Sequence, residues 1–237
     1  MFEKIIYKRP HYHLTSNNIL VKEQFGFRCN NSTEIAIYTL LNNRLLHLNN
    51  KIIVDGLFCD FQNAFECVNY DILLSKIKCY SISGVTYKLM ESYLRIRYQR
   101  VVTNAHNNSN GHFSKLVEVQ HQVPQGSVLG PLLCIIYIKD LSKSASDKCN
   151  PILFPDETRF IIANCNETEF KCSTNEIFNE ISKWFHSNLL MLNYDKTHLF
   201  QFLTKTDYEI NMQVSFGNRK IATTQSLKFL GISVNTY

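Results

Sequence analysis

Apolar positions along this chain fall into short blocks, and their spacing changes from one block to the next. Residues 52–61 (IIVDGLFCDF) make a nearly unbroken apolar run ending in an acid, the pattern of a buried strand with a polar tip. Residues 72–80 and 87–96 instead carry apolar side chains at the three- and four-residue spacing of one helix face. Residues 176–188 do the same, with Ile177, Ile181 and Trp184 on one side. Residues 114–120 alternate and read as a strand entering a Pro-Gln-Gly turn, and residues 151–163 (PILFPDETRFIIA) read as strand, acidic turn, strand. Residues 214–216 and 227–234 read as strands around a Gly217-Asn218 turn. Residues 104–111 (NAHNNSNG) are rich in turn formers and read as the one long loop. Strands and helices mixed in this order predict an α+β fold, a sheet with helices packed on one face.

Composition narrows the class only a little. With 237 residues, 45% of them hydrophobic, the chain can bury one large core or two lobes sharing one. A formal net charge of +5 leans toward a polyanionic partner, although many domains of other kinds carry as much. The most apolar stretch, residues 128–138, is broken by Gly130-Pro131 and is too short to span a bilayer. Residues 1–13 hold no apolar run of signal-peptide length. The expectation is an intracellular protein, cytoplasmic or nuclear, with no membrane partner. The eight cysteines show no C-x-x-C pair and no histidine at ligand spacing, which argues against zinc and against disulfides. Cys59 and Cys134 lie inside apolar runs, where a free thiol behaves as a small hydrophobe.

Candidate chemistry rests on acids at strand ends. Asp60 closes one buried run, and Asp156-Glu157 sits in the turn of a hairpin far along the chain. Strand pairing would bring the three carboxylates together at one sheet edge. Clustered carboxylates repel unless a cation lies between them, and hard oxygen ligands suit Mg²⁺. Two such ions activate an attacking hydroxyl and stabilise the leaving oxygen in phosphoryl transfer. On spacing alone, solvated turn residues account for the same acids.

The words around those acids decide between the two readings. Gln24-Phe25-Gly26-Phe27-Arg28 followed by Ser32-Thr33 resembles the Q-F-G-F-R…S-T block of LINE-type reverse transcriptases. Residues 58–69 (FCDFQNAFECVN) resemble that family's first palm motif, F-x-D-F-x-K-A-F-D-x-V-x-H. Residues 123–133 (VPQGSVLGPLL) follow V-P-Q-G-S-x-L-G-P-L-L almost letter for letter, and Tyr137-Ile138-Lys139-Asp140-Leu141 continues it. Trp184-Phe185 through Asn193-Tyr194-Asp195-Lys196-Thr197 follows W-x-x-x-N-x-L-x-L-N-x-x-K-T, and Phe229-Leu230-Gly231 fits the F-L-G turn. Five motifs in the family's order over nearly the whole chain mark a resemblance to non-LTR, jockey-like retroelement reverse transcriptases. Viral and telomeric polymerases share the palm but not the Pro-Gln-Gly-Ser-Val-Leu-Gly-Pro block.

The resemblance implies an RNA-directed DNA polymerase with a right-hand fold. Residues 1–50 would be partial fingers, and 51–237 a palm, an antiparallel sheet, with a fingers-side insertion at about 72–120. Asp60, Asp156 and Glu157 would hold two Mg²⁺ ions, with Mn²⁺ as a substitute, and Lys196 would sit near the leaving pyrophosphate. Phe65 would exclude a ribose 2′-OH; plain core packing is its other reading. Gln125 and Gly126 would lie against nucleotide and template, with the glycine allowing close backbone approach. Arg28 would grip the triphosphate, or make a surface ion pair. Arg95, Arg97 and Arg100, interleaved with Tyr93 and Tyr98, would track a phosphate backbone, or form a solvated helix end. The partners implied are an RNA template, a DNA primer and dNTPs; nothing fixes the oligomeric state.

Departures from the pattern gather around the chemistry. The family's F-A-D-D-T turn here is Phe154-Pro155-Asp156-Glu157-Thr158. Pro155 removes an N–H and fixes φ, and Glu157 moves its charge out by a methylene. His121-Gln122 replaces Cys-Gly before Val123, which strains Gln122 if that position has positive φ. Asn63, Glu66 and Tyr70 replace a lysine, an aspartate and a histidine. The segment MFEKIIYK matches a stretch inside the fingers, and the chain ends soon after Gly231, so part of the fingers and the whole thumb are expected to be missing. The expectation is weakened activity, or a non-catalytic nucleic-acid-binding remnant of the same fold.

Overall fold

A computed structural model describes residues 2–50, 52–62, 64–103, 112–145, 149–155, 157–203, 210, 212–216 and 219–236. The expected loop at 104–111, the Gly217-Asn218 turn and Asp156 lie outside the described residues.

The apolar run near residue 52 becomes β1 (Ile53–Gln62), the centre of the sheet, and it is buried on both faces, which is why its sequence is nearly continuous in hydrophobes. Ahead of it come α1 (Phe2–Ser16) and α2 (Thr33–Asn49). After it follow α3 (Tyr70–Cys79) and α4 (Gly84–Arg95), then the short strands β2 (Tyr98–Gln99), β3 (Val102–Thr103), β4 (His112–Phe113) and β5 (Val117–Glu118). Next are α5 (Gly130–Ile138), α6 (Leu141–Ala145), β6 (Cys149–Leu153), β7 (Glu157–Asn164) and α7 (Glu167–Ser187). The chain continues through β8 (Met191–Leu192), β9 (His198–Gln201), β10 (Val214–Phe216), β11 (Arg219–Thr224), β12 (Ser226–Phe229) and β13 (Ile232–Asn235).

The sheet runs β10-β11-β9-β1-β7-β6, with β8 paired to the end of β1. It is mixed rather than antiparallel, because β11 returns beside β9 in the parallel sense. Pro151 is accommodated because β6 lies at the sheet's edge, where a missing N–H costs no ladder bond.

Alternation along β1 sends its side chains into two cores. Leu57, Cys59 and Phe61 join a cluster with Leu73 and Ile77 of α3, Leu133 and Ile136 of α5, and Ile177, Phe178 and Ile181 of α7. Val54 and Phe58 join a second cluster with Ala36 and Leu40 of α2, Phe200 of β9 and Phe229 of β12. Helices therefore cover both faces, not one, since α2 lies across the face that the β12–β13 hairpin also covers.

Local chemistry explains the helix starts. Asn69 accepts from the Ile72 N–H at 3.1 Å and caps α3. Asn166 accepts from Thr168 N at 2.9 Å and caps α7, with Glu167 and Glu169 favouring the positive end of the helix dipole. Helix α7 thus begins at Glu167, well before the block that its apolar face marks. The 128–138 block is a helix apolar all round, buried between the sheet and its neighbours; Pro131 opens it and Ser127 Oγ accepts from Gly130 N at 2.9 Å. Residues 227–234 form two strands of a hairpin bent at Leu230-Gly231, with Gly231 at φ 87°. The expected strand at 114–120 is limited to the two residues of β5, paired with β2. No helix among the described residues is long and apolar enough to cross a membrane.

One group in the first core is out of keeping with it. Asp55 is 1% exposed, lies opposite Ile162 and Gln201, and leaves Oδ2 without a hydrogen-bond partner among the described residues. Burial holds its carboxyl well above the usual carboxylate range. The folded chain keeps that proton while the unfolded chain loses it near pH 4, so stability is highest in acid and falls as pH rises from there toward the folded value. Asp55→Asn is expected to raise stability at pH 8 by about 1–3 kcal/mol, and by less at pH 5. Urea melts at the two values check this; a pH-independent gap would mean that Asp55 is charged in the fold.

Candidate active site

Strand register brings the acids together. Asp60, near the end of β1, is the direct partner of Glu157, the first residue of β7, so the two project from one face of the sheet. Asp60 is fixed through its backbone. Its carbonyl accepts from Asn193 N at 2.9 Å, and its N–H lies 3.4 Å from Thr197 Oγ1, which donates to Asn193 O at 2.7 Å. The Asn193–Thr197 turn of the W…N-x-x-K-T motif is thereby clasped against the strand end, and Lys196 comes with it, exposed. Asp60, Glu157, Lys196, His198 and Lys228 line a common cleft of about 240 Å³.

The cleft also holds a residue that the motifs did not single out. Arg159, two positions after Glu157 on the same face of β7, is 4% exposed, and its guanidinium is paired with the Glu157 carboxylate. Its Nη1 donates to the carbonyls of Cys59 at 3.3 Å and Thr158 at 3.1 Å. The guanidinium carbon lies 4.6 Å from the Phe58 ring centre and 5.1 Å from that of Phe229. Burial pulls Arg159 below the ordinary arginine value, and Glu157 opposes the shift. The signal was present in the chain: an arginine amid the apolar residues of a strand needs a carboxylate, and the nearest on its face is two positions away.

This arrangement tests the two-ion expectation. Among the described residues no three acidic, histidine or cysteine side chains gather as a metal-ligand group. Asp60 is half-buried at the cleft and forms no ion pair among the described residues, which suits an oxygen ligand. Glu157 is already held by a resident cation. As it stands, Glu157 is not free to join Asp60 as a ligand of the pair of divalent ions that the motif implies; Asp156 lies outside the described residues.

The residues expected on the nucleotide side meet at a separate junction. Phe65 is partly buried, and its carbonyl accepts from Val123 N at 2.8 Å, which ties the Pro-Gln-Gly turn to the 58–69 block. Its ring meets that of Phe27 edge-on, with centres 6.2 Å apart, bringing in the Q-F-G-F-R loop. Gln125 and Gly126 are exposed in the turn, and Gly126 has φ 76° with open space around it, so conformation rather than crowding demands glycine. Arg28 donates to the Val21 carbonyl at 2.6 Å, which braces its own loop and leaves its other N–H groups for an anion.

Two departures from the family pattern prove to be in contact. Gln122 takes φ 86°, the conformation that strains any residue but glycine. The Tyr70 hydroxyl is 2.9 Å from the Gln122 carbonyl and 2.7 Å from that of His121, and Arg97 Nη1 donates to the Gln122 carbonyl at 2.8 Å. Arg97 therefore braces the turn. Arg95 pairs with Asp71 at 2.5 Å, and Arg100 stacks 4.5 Å from the Phe113 ring centre. Pro155 lies beyond the last ladder pair, Leu153 with Thr158, so it removes no sheet bond. It packs instead on Gly26, where a Cβ would come within 2.6 Å of the proline ring.

Comparison with known proteins bears on the family and the fold. Residues 1–234 match the family described as reverse transcriptase (RNA-dependent DNA polymerase). The probable RNA-directed DNA polymerase from transposon BS of Drosophila melanogaster is 28% identical over 99% of the chain, and that from its mobile element jockey is 26% identical over 90%. The chain spans about a quarter of these relatives, 26% and 23% of their lengths. The apo telomerase of Candida tropicalis, truncated from its C-terminal domain, superposes with a TM-score of 0.65 at 17% identity, over 98% of this chain and 44% of that one. Candida albicans telomerase in complex with a TWJ fragment of telomeric RNA gives 0.64 at 14%, over 98% and 37%, and both show a shared fold. The five ordered motifs, the paired acids at the ends of two central strands and the match over nearly the whole length converge on one assignment: the chain belongs to the reverse transcriptase (RNA-dependent DNA polymerase) family and is related to the polymerases of jockey-type non-LTR retrotransposons.

Proposed function

We propose that this chain is the palm, with part of the fingers, of a retroelement polymerase that adds deoxynucleotides to a DNA primer on an RNA template inside the cell, at a much reduced rate. The observation that carries the reading is Asp60 facing Glu157 across β1 and β7 in a cleft shared with Lys196. Mg²⁺ or Mn²⁺ held at these carboxylates would supply activation of the primer hydroxyl and compensation of the leaving charge. Here Asp60 and Asp156 are the positions left to a metal, and Glu157 is committed to Arg159. Lys196 offers an exposed ammonium for a leaving pyrophosphate. The Phe65 ring, braced by Phe27, would clash with a ribose 2′-OH, while the Gln125-Gly126 backbone lies open to nucleotide and template. Arg28 reaches the triphosphate with the N–H groups that Val21 does not use. Arg95 and Arg100, exposed beside the β2–β5 and β3–β4 ribbons, supply the phosphate-tracking charge.

Primer extension on an RNA template tests this. The unmodified chain is expected to extend weakly in Mg²⁺ or Mn²⁺, and Asp60→Asn to abolish extension while leaving salt-dependent RNA affinity intact. Extension that survives Asp60→Asn would move the chemistry elsewhere. The Arg159–Glu157 pair favours a second reading, a nucleic-acid-binding remnant without turnover. That reading predicts the same RNA affinity and no extension in any metal.

A further inference from the structure

We propose that Arg159 is a tethered counter-cation that holds the Glu157 carboxylate in place of a divalent ion, so the acidic edge is charge-compensated without a second metal. The proposal rests on the reading of Asp60 and Glu157 as the catalytic edge, and it extends that reading to a residue outside every motif. A carboxylate opposite another carboxylate needs positive charge nearby, and a metal is one way to supply it. In this chain the positive charge is built in. The Arg159 guanidinium is paired with Glu157, and its Nη1 meets the carbonyls of Cys59 and Thr158. The rings of Phe58 and Phe229 flank it, at 4.6 and 5.1 Å.

Geometry makes the occupancy persistent. Arg159 is 4% exposed, and its Nε has no partner among the described residues, so its charge is satisfied mainly by Glu157 and by the carbonyls at the same edge. Releasing Glu157 to a metal would leave that buried charge uncompensated, and the released arginine would repel the incoming dication. The consequence is a chain whose affinity for divalent ions does not depend on Glu157.

Mn²⁺ binding, followed by electron paramagnetic resonance of the free ion and by the ion's effect on Tm, reads this directly without turnover. The unmodified chain is expected to bind Mn²⁺ weakly, and Glu157→Gln to leave that isotherm unchanged. Arg159→Met, which keeps an apolar filler between Phe58 and Phe229, is expected to tighten Mn²⁺ binding by roughly tenfold or more. Adding Glu157→Gln to that variant should abolish the gain. Equal affinity in the unmodified chain and a folded Arg159→Met variant would overturn the proposal. So would a loss of affinity on Glu157→Gln alone, a test that leaves the buried arginine in place. A gain in Arg159→Met that Asp60→Asn fails to reduce would instead sink the assignment of this edge as the catalytic one.

Discussion

A chain carrying Pro155→Ala, Glu157→Asp and Arg159→Met together should extend a primer on RNA roughly a hundredfold or more faster than the unmodified chain. The magnitude follows from the cost of misplacing a catalytic group by about 1 Å, combined with the loss of a charged ligand to an ion pair. The first two changes alone should recover far less. Without the third, the guanidinium remains two positions away on the same strand face and captures the shortened carboxylate as it now captures Glu157. Single-turnover extension in Mg²⁺ with the double, the triple and an Asp60→Asn version of the triple separates these contributions. A double as fast as the triple would remove Arg159 from the proposed cause of slow extension. A triple that folds and binds RNA but stays silent would place the limiting departure outside this hairpin.

The second large effect concerns the core beneath the cleft. Phe58→Ala is expected to cost about 3–5 kcal/mol, a large share of the total stability of a typical domain. The ring is 3% exposed and meets Phe200 and Phe229 edge-on, with centres 6.0 and 6.1 Å apart, while Arg159 stacks on it. Removing it leaves a cavity and takes away the surface on which the β12–β13 hairpin rests through Phe229. Urea denaturation gives the energy, and hydrogen exchange should show the amides of β12 and β13 losing protection first. Phe58→Leu, which keeps most of the volume, should cost well under half as much. A loss below about 1 kcal/mol for Phe58→Ala would mean that the second core is loosely packed and that the hairpin is held by something else.

Much of this protein was legible along its chain because the relevant physics is local. A continuous apolar run must be buried on both faces, and β1 is. The periodic faces of α3, α4 and α7 follow from 3.6 residues per turn. The acidic turn between two apolar runs is the β6–β7 hairpin. Left-handed backbone at Gln122 followed from a glycine that the family keeps there and this chain lacks. Helix α2 gave no such signal, since its apolar residues are spread around its circumference, several of them exposed, including Tyr38 and Leu45. The start of α7 was hidden for a different reason: its first turns are polar, and its cap depends on the side chain of Asn166.

The family, the central strand, the hairpin and the identities of the acids can all be read from neighbouring residues. Which of those residues face one another depends on how the chain folds back on itself. The pairing of Asp60 with Glu157 joins positions far apart in the chain through a strand register. The parallel placement of β11 beside β9 and the second helical face depend on how distant segments return. Tyr70, Gln122 and Arg97 became one braced turn only when α3 and the chain before Val123 met. Arg159 shows the division most clearly: its charge is in the sequence, but its consequence comes from burial between Phe58 and Phe229, which leaves Glu157 as the carboxylate that satisfies it. The i, i+2 spacing puts Glu157 within reach along the strand, but the burial that makes the pair obligatory comes from segments far away in the chain.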